Sequence, residues 1–251
     1  MKSFVSRRSF GALAAGLAGA IVAAPALASA SPRRVLVYGA SNSWGFQPMT
    51  PGAPLRRLPF AERWTGQAQR ALGPGYEIVE DVLPGRTAGA DRPGFGGLAP
   101  SAMNGRTELP EALVRNLPVG LVVLQLGTND LMLDPDLAPE TFAARIGALA
   151  DATAAFRLPI AMEGQAYPIR TLAMAPTGIA AAPGAANGAR AEAARRRCLP
   201  VLQAEAAARG FRVFDGAEAV PVPGPDGLHF DAPAHRRLGL LAARAIAEAL
   251  S

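Results

Sequence analysis

Five short apolar runs punctuate this chain, at 35–38, 76–82, 121–126, 171–175 and 211–214. Most are apolar at nearly every position rather than at every second one. A strand reads that way when both of its faces are covered. Between the runs, apolar residues recur at helical spacing over 60–72, 109–116, 139–156, 189–209 and 233–249. Pro200 falls inside the fourth of these helices, where its missing N–H is expected to kink or split it. Strands alternating with helices predict an α/β fold, a parallel sheet with helices packed against it. Residues 48–57 and 90–104 are rich in Gly and Pro and read as loops, and 157–170 and 176–188 also look irregular. No internal repeat is visible.

The first 30 residues stand outside this pattern. Lys2, Arg7 and Arg8 make a basic start, an Ala/Gly-rich apolar run follows over 11–27, and Ala28-Ser29-Ala30 is an A-x-A cleavage site. These are the parts of a secretory signal peptide. The adjacent arginines in Ser6-Arg7-Arg8-Ser9-Phe10, ahead of a weakly apolar run, point to twin-arginine export and so to a periplasmic or secreted bacterial protein. Ala and Gly give the run little hydrophobic drive and the cleavage site ends it, so no stable membrane insertion is expected after processing. Residues 31–251 are then read as one domain of 221 residues, long enough for a sizeable core.

The formal net charge of +5 shrinks to +2 once the three positive charges of the leader are removed. The arginines are scattered and no aromatic-interleaved basic stripe appears, so a nucleic-acid partner is not expected. Cys198 is the only cysteine, which excludes an intrachain disulfide, and its place in a helical stretch reads as a small buried hydrophobe. One Cys with only His229 and His235 argues against a Cys/His zinc site, and no carboxylate spacing points to another metal.

The chemistry gathers where the strands end. Gly39-Ala40-Ser41-Asn42-Ser43-Trp44-Gly45 follows the first apolar run, Leu83-Pro84-Gly85-Arg86-Thr87 the second, and Gly127-Thr128-Asn129-Asp130 the third. Open α/β sheets place their ligands outside the carboxyl ends of their strands. A serine hydroxyl is a weak nucleophile at neutral pH and needs a base, most often a histidine, which a carboxylate then holds in the right tautomer. His229 lies in a turn three residues after Asp226, and both can project from it toward the strand ends. His235 falls inside the last helix, where its neighbours Arg236 and Arg237 point to a solvated face. Ser41, His229 and Asp226 are therefore the candidate nucleophile, base and orienting acid. The Ser41 and Gly85 N–H groups and the Asn129 amide are the candidate oxyanion donors, each able to supply about 3–4 kcal/mol in the transition state. Ser43 reads as a cap or turn residue, Trp44 as a pocket wall or core filler, and Asp130 as a structural partner of the serine loop.

These four segments, in this order, resemble the SGNH (GDSL-type) hydrolase family, named for a Ser, a Gly, an Asn and a His in separate blocks. They fall here on Ser41, Gly85, Asn129 and His229, with Asp226 as the acidic partner, and the resemblance spans nearly all of the chain after the leader. Gly39 to Gly45, Pro59-Phe60 with Arg63-Trp64, Gly85-Arg86-Thr87, Leu126 to Leu131 and Asp226 to His229 look most like its arylesterase branch. The resemblance implies a three-layer α/β/α sandwich, flavodoxin-like, with a five-stranded parallel sheet in the order 2-1-3-4-5. Two departures stand out. The usual Gly-Asp-Ser-Leu becomes Gly39-Ala40-Ser41-Asn42, so a carboxylate that would bond the local backbone is missing. Pro84 precedes Gly85 where the branch often has a small polar residue, which removes a backbone donor and stiffens the loop.

The resemblance implies a secreted serine esterase acting on a small-molecule ester, short-chain acyl or aryl, through an acyl-enzyme, with no cofactor or metal. Some members of the branch also transfer the acyl group to acceptors such as peroxide, and some assemble into homo-oligomers. Rival readings with the same chemistry are a carbohydrate O-deacetylase and a lysophospholipase or thioesterase. A rival of another class is a non-catalytic envelope binding protein on a hydrolase scaffold.

Overall fold

Five parallel strands form one sheet whose three central strands are covered on both faces, which is why those strands are apolar at nearly every position. The computed structural model describes residues 32–182 and 186–251. The signal-peptide reading lies outside these residues, as does part of the 176–188 loop. The strands are β1 (Arg33–Gly39), β2 (Tyr76–Val82), β3 (Leu121–Gln125), β4 (Arg170–Ala175) and β5 (Arg212–Asp215), in the sheet order β2-β1-β3-β4-β5. Successive side chains go to opposite faces. Val35 and Val37 of β1, Leu121 and Val123 of β3, and Leu172 and Met174 of β4 enter one core. Leu36, Tyr38, Val122, Leu124, Ala173 and Ala175 enter the other. Helices α2 (Trp64–Leu72) and α7 (Ala232–Leu250) close the first core, and α3 (Gly105–Asn116), α5 (Pro139–Ala155) and α6 (Gly188–Arg209) close the second. The result is the three-layer α/β/α sandwich.

Departures from the sequence reading are local. The helix expected over 60–72 is broken into a turn of 3-10 helix at Phe60–Glu62, an extended Arg63, and α2. Gly66 permits the break: a Cβ there would lie 2.0 Å from the Phe60 carbonyl oxygen, so the turn folds back onto α2 instead of extending it. α3 starts one turn before the expected 109 because the Asn104 side chain accepts the Arg106 N–H at 3.1 Å, a working N-cap. Pro200 does not split α6; the chain stays helical from Gly188 to Arg209, with Cys198 and Leu202 buried on either side of it. Two further helices, α1 (Ser41–Trp44) and α4 (Thr128–Leu133), are too short to carry a readable period, and both open directly after site-bearing strands.

His235 is not on a solvated face. It is fully buried, and its Nδ1 accepts the Trp64 backbone N–H at 3.1 Å. Ala234, His235, Leu238, Ala242 and Ile246 form one inward stripe of α7, which overrides the hint from Arg236 and Arg237. Burial pushes the His235 pKa down to about 4 against a partial pull upward from Asp231. An unfolded imidazole titrates near ~6.5, so between these values the unfolded chain takes up a proton that the folded chain refuses. The stability that neutral His235 contributes is complete above pH ~6.5 and falls away as pH drops toward ~4, by roughly 3 kcal/mol in all. Urea midpoints are expected to fall across that window, and His235→Gln to flatten the fall. An equal slope in the variant would contradict this assignment.

Candidate active site

Parallel strands end at one edge of the sheet, and at that edge β1 lies between β2 and β3. Gly39, the last residue of β1, pairs with Val82 on one side and Gln125 on the other. The serine, glycine and asparagine segments therefore begin side by side. Ser41 opens α1, and the left-handed Gly45 (φ 84°) closes it.

The fourth segment reaches this edge as a tight turn before α7. His229 Nε2 lies 3.1 Å from Ser41 Oγ, and His229 Nδ1 lies 2.7 Å from Asp226 Oδ2. Asp226 Oδ1 accepts the N–H groups of Leu228 (3.0 Å) and His229 (2.9 Å), and Oδ2 also accepts the Met49 N–H at 2.7 Å. Burial alone would raise the Asp226 pKa; the hydrogen bonds from His229, Met49 and Leu228 outweigh it and hold the carboxyl well below the ordinary carboxylate range. A carboxylate only accepts, so Nδ1 carries the proton and Nε2 turns its lone pair to the Ser41 hydroxyl. Gly227 makes the turn possible, with φ 80° and a Cβ position only 2.2 Å from the Ala180 carbonyl oxygen.

Other groups hold the two segments in register. Asn42 Nδ2 donates to the Leu228 carbonyl at 3.1 Å, and the Phe46 ring stacks on His229 with centroids 4.5 Å apart. Gln125 Oε1 accepts the Ser43 hydroxyl at 2.7 Å and the Ala40 N–H at 3.3 Å. This buried amide braces the serine turn where a carboxylate at position 40 is missing.

The glycine loop is tied to both neighbours. The Leu83 N–H donates to the Gly39 carbonyl at 3.1 Å, and Asn129 Nδ2 donates to the Arg86 carbonyl at 3.0 Å. That bond uses one of the two amide hydrogens of Asn129 and leaves the other for a ligand. Neither the Ser41 N–H nor the Gly85 N–H has a partner among the described residues. Ser41, His229 and Asp226 are thus joined in one hydrogen-bonded chain, and Asn129 is fixed against the loop that carries Gly85.

Three further residues have places of their own. Asp130 braces the glycine loop rather than the serine loop: its carboxylate accepts the Ala88 N–H at 2.7 Å and Arg145 Nη1 at 2.9 Å. The reason is position, since Asp130 in the first turn of α4 faces the loop that follows β2. Trp44 does not fill the core; it is half-buried, with Arg57 4.4 Å over its ring and the Phe46 ring 5.8 Å away. Ser43 is fully buried and structural, accepting Trp64 Nε1 at 3.3 Å. Sequence reasoning missed Phe46, the Met49 N–H and Gln125. Only Gln125 left a signal, as the one polar residue in an apolar strand.

Among the described residues no group of three or more His, Cys, Asp or Glu side chains converges, and no helix is long and apolar enough to cross a membrane.

No family model and no curated protein matches the chain. Solved structures do. The chain is 31% identical to Est24, a carbohydrate acetylesterase from Sinorhizobium meliloti, over 86% of this chain and 99% of that one, with a TM-score of 0.74. This chain belongs to the SGNH (GDSL-type) hydrolase family. The SGNH hydrolase is also similar to an aryl esterase from M. smegmatis in its inhibitor-bound form, at 28% identity and a TM-score of 0.76, over 87% of this chain and 100% of that one. A GDSL-like lipase from Bacteroides thetaiotaomicron, 16% identical over 88% of this chain and 93% of that one, shares the fold at a TM-score of 0.59. The SGNH hydrolase is an ester-hydrolysing serine enzyme.

Proposed function

We propose that Ser41 is the nucleophile of a short-acyl esterase. The observation that carries this is the chain Ser41 Oγ, His229 Nε2, His229 Nδ1, Asp226 Oδ2, with steps of 3.1 and 2.7 Å across its two hydrogen bonds. Ser41 Oγ attacks the ester carbonyl as His229 takes its proton. Asp226 stabilises the imidazolium that forms, and the Ser41 N–H, the Gly85 N–H and the Asn129 amide hold the oxyanion. His229 then protonates the leaving alcohol, and water, or another acceptor in its place, resolves the acyl-enzyme by the same route.

A small acyl group is supported by the wall around Gly85. A Cβ on that residue would lie 3.0 Å from the Phe95 ring and 3.1 Å from the Met103 methyl, so these side chains close in on the loop. Hydrolysis of p-nitrophenyl acetate, butyrate and octanoate tests the reading. Turnover is expected to fall steeply with chain length; a rise toward octanoate would move the substrate to a lipid or thioester. A carbohydrate O-acetyl ester is the second reading, favoured by the likeness to Est24. It predicts that acetylated xylose outcompetes p-nitrophenyl acetate. Export through the leader at 1–30 belongs to the same proposal, and Ser31 is expected as the first residue of the exported protein by N-terminal sequencing.

A further inference from the structure

Most arginines that enter the body of this protein meet a carboxylate. Arg63 pairs with Glu80, Arg86 with Asp81, Arg145 with Asp130, and Arg195 with Glu192. Arg92 does not. It is half-buried beside the glycine loop, with Nη1 3.4 Å from the Gly85 carbonyl oxygen and 3.5 Å from where a Gly85 Cβ would stand. Its Nε is buried and has no partner among the described residues. Its chain neighbour Asp91 accepts Asn104 Nδ2 at 2.8 Å instead. The guanidinium therefore has one long bond to a neutral carbonyl, one buried N–H without a partner, and no carboxylate against it among the described residues. A guanidinium fork matches a carboxylate with two parallel hydrogen bonds, and burying it without an anion is costly.

Arg92 lies beside the loop that carries the Gly85 N–H, so on the Ser41 esterase reading it neighbours the oxyanion side of the site. The leaving oxygen must sit at His229 Nε2 to take a proton there. The carbonyl oxygen sits against the Gly85 N–H, and Arg92 flanks Gly85. Phe95, 58% exposed, covers the same loop and offers apolar contact to a short carbon chain.

We propose that Arg92 selects esters whose acyl part ends in a carboxylate, monoesters of short dicarboxylic acids such as succinate or glutarate. Hydrolysis of such an ester breaks its acyl C–O bond, consumes one water, and releases the alcohol and the free dicarboxylate. The proposal rests on the Ser41 esterase reading and specifies its acyl group.

The test compares kcat/KM for monoethyl glutarate with that for ethyl pentanoate in the parent enzyme, Arg92→Gln and Arg92→Lys. Charge-assisted hydrogen bonds predict that the glutarate-to-pentanoate ratio drops about ten- to a hundred-fold in Arg92→Gln. Arg92→Lys keeps the charge without the fork and is expected to retain part of the preference. Added salt is expected to lower the ratio in the parent enzyme. A ratio that is the same in Arg92→Gln and the parent overturns the proposal, as does a charge preference seen only with 4-carboxybenzyl acetate, where the anion is on the alcohol. Ethyl pentanoate hydrolysis that survives Ser41→Ala would instead overturn the esterase reading itself. Hydrolysis that needs Ser41 but ignores the acyl charge would overturn only the role of Arg92.

Discussion

Ser41→Ala is expected to lower kcat for p-nitrophenyl acetate by roughly a million-fold. Nucleophile and base act as one unit, so removing the nucleophile forfeits nearly all that the unit supplies. The residue left behind is the oxyanion site alone. Folding is expected to be intact, because among the described residues the Ser41 hydroxyl bonds only to His229 Nε2 and the turn is held by Gln125, Asn42 and the backbone. A variant that keeps within about a hundred-fold of parental kcat, once background is subtracted, would sink Ser41 as the nucleophile.

Asp226→Asn is expected to cost about ten-thousand-fold in kcat with the fold retained. The carboxylate accepts four hydrogen bonds, two at each oxygen. An asparagine can keep its oxygen toward the Leu228 and His229 N–H groups. Its NH2 then faces the Met49 N–H and His229 Nδ1, where only an acceptor fits. His229 answers by moving its proton to Nε2, and that nitrogen can no longer take the proton of Ser41. The unpaired Met49 N–H adds about 1–3 kcal/mol of instability, so urea midpoints should drop along with kcat. A variant with full activity would show that Asp226 does not set the tautomer.

Much of the fold is legible in the amino-acid sequence. The five runs became five strands within a residue or two, and the central β1, β3 and β4 read most plainly because strands covered on both faces leave a nearly unbroken apolar signature. The site was legible because parallel strands deliver three segments to one edge and each segment carried a polar residue of the right kind. The turn at Asp226 to His229 was legible for its spacing. His235 was misplaced because two arginines beside it outweighed the inward stripe of Ala234, Leu238, Ala242 and Ile246. Asp130 was assigned to the wrong loop because a sequence shows which strand a residue follows but not which neighbour it turns toward. Phe46 was invisible, since an aromatic after a turn has no pattern of its own; only the fold lays it on the His229 ring. The helix break at Arg63 depends on a contact between Gly66 and the Phe60 carbonyl, which no periodicity encodes.

On the proposed reading, His229 and Asp226 activate Ser41. A fluorophosphonate that forms a covalent bond only with an activated serine tests it most directly, with intact mass and peptide mapping as the readout. A single adduct on the peptide that contains Ser41, lost in Ser41→Ala and strongly slowed in Asp226→Asn, is the predicted result. An adduct on another residue, or a folded and ester-hydrolysing protein that takes no adduct at all, would contradict it.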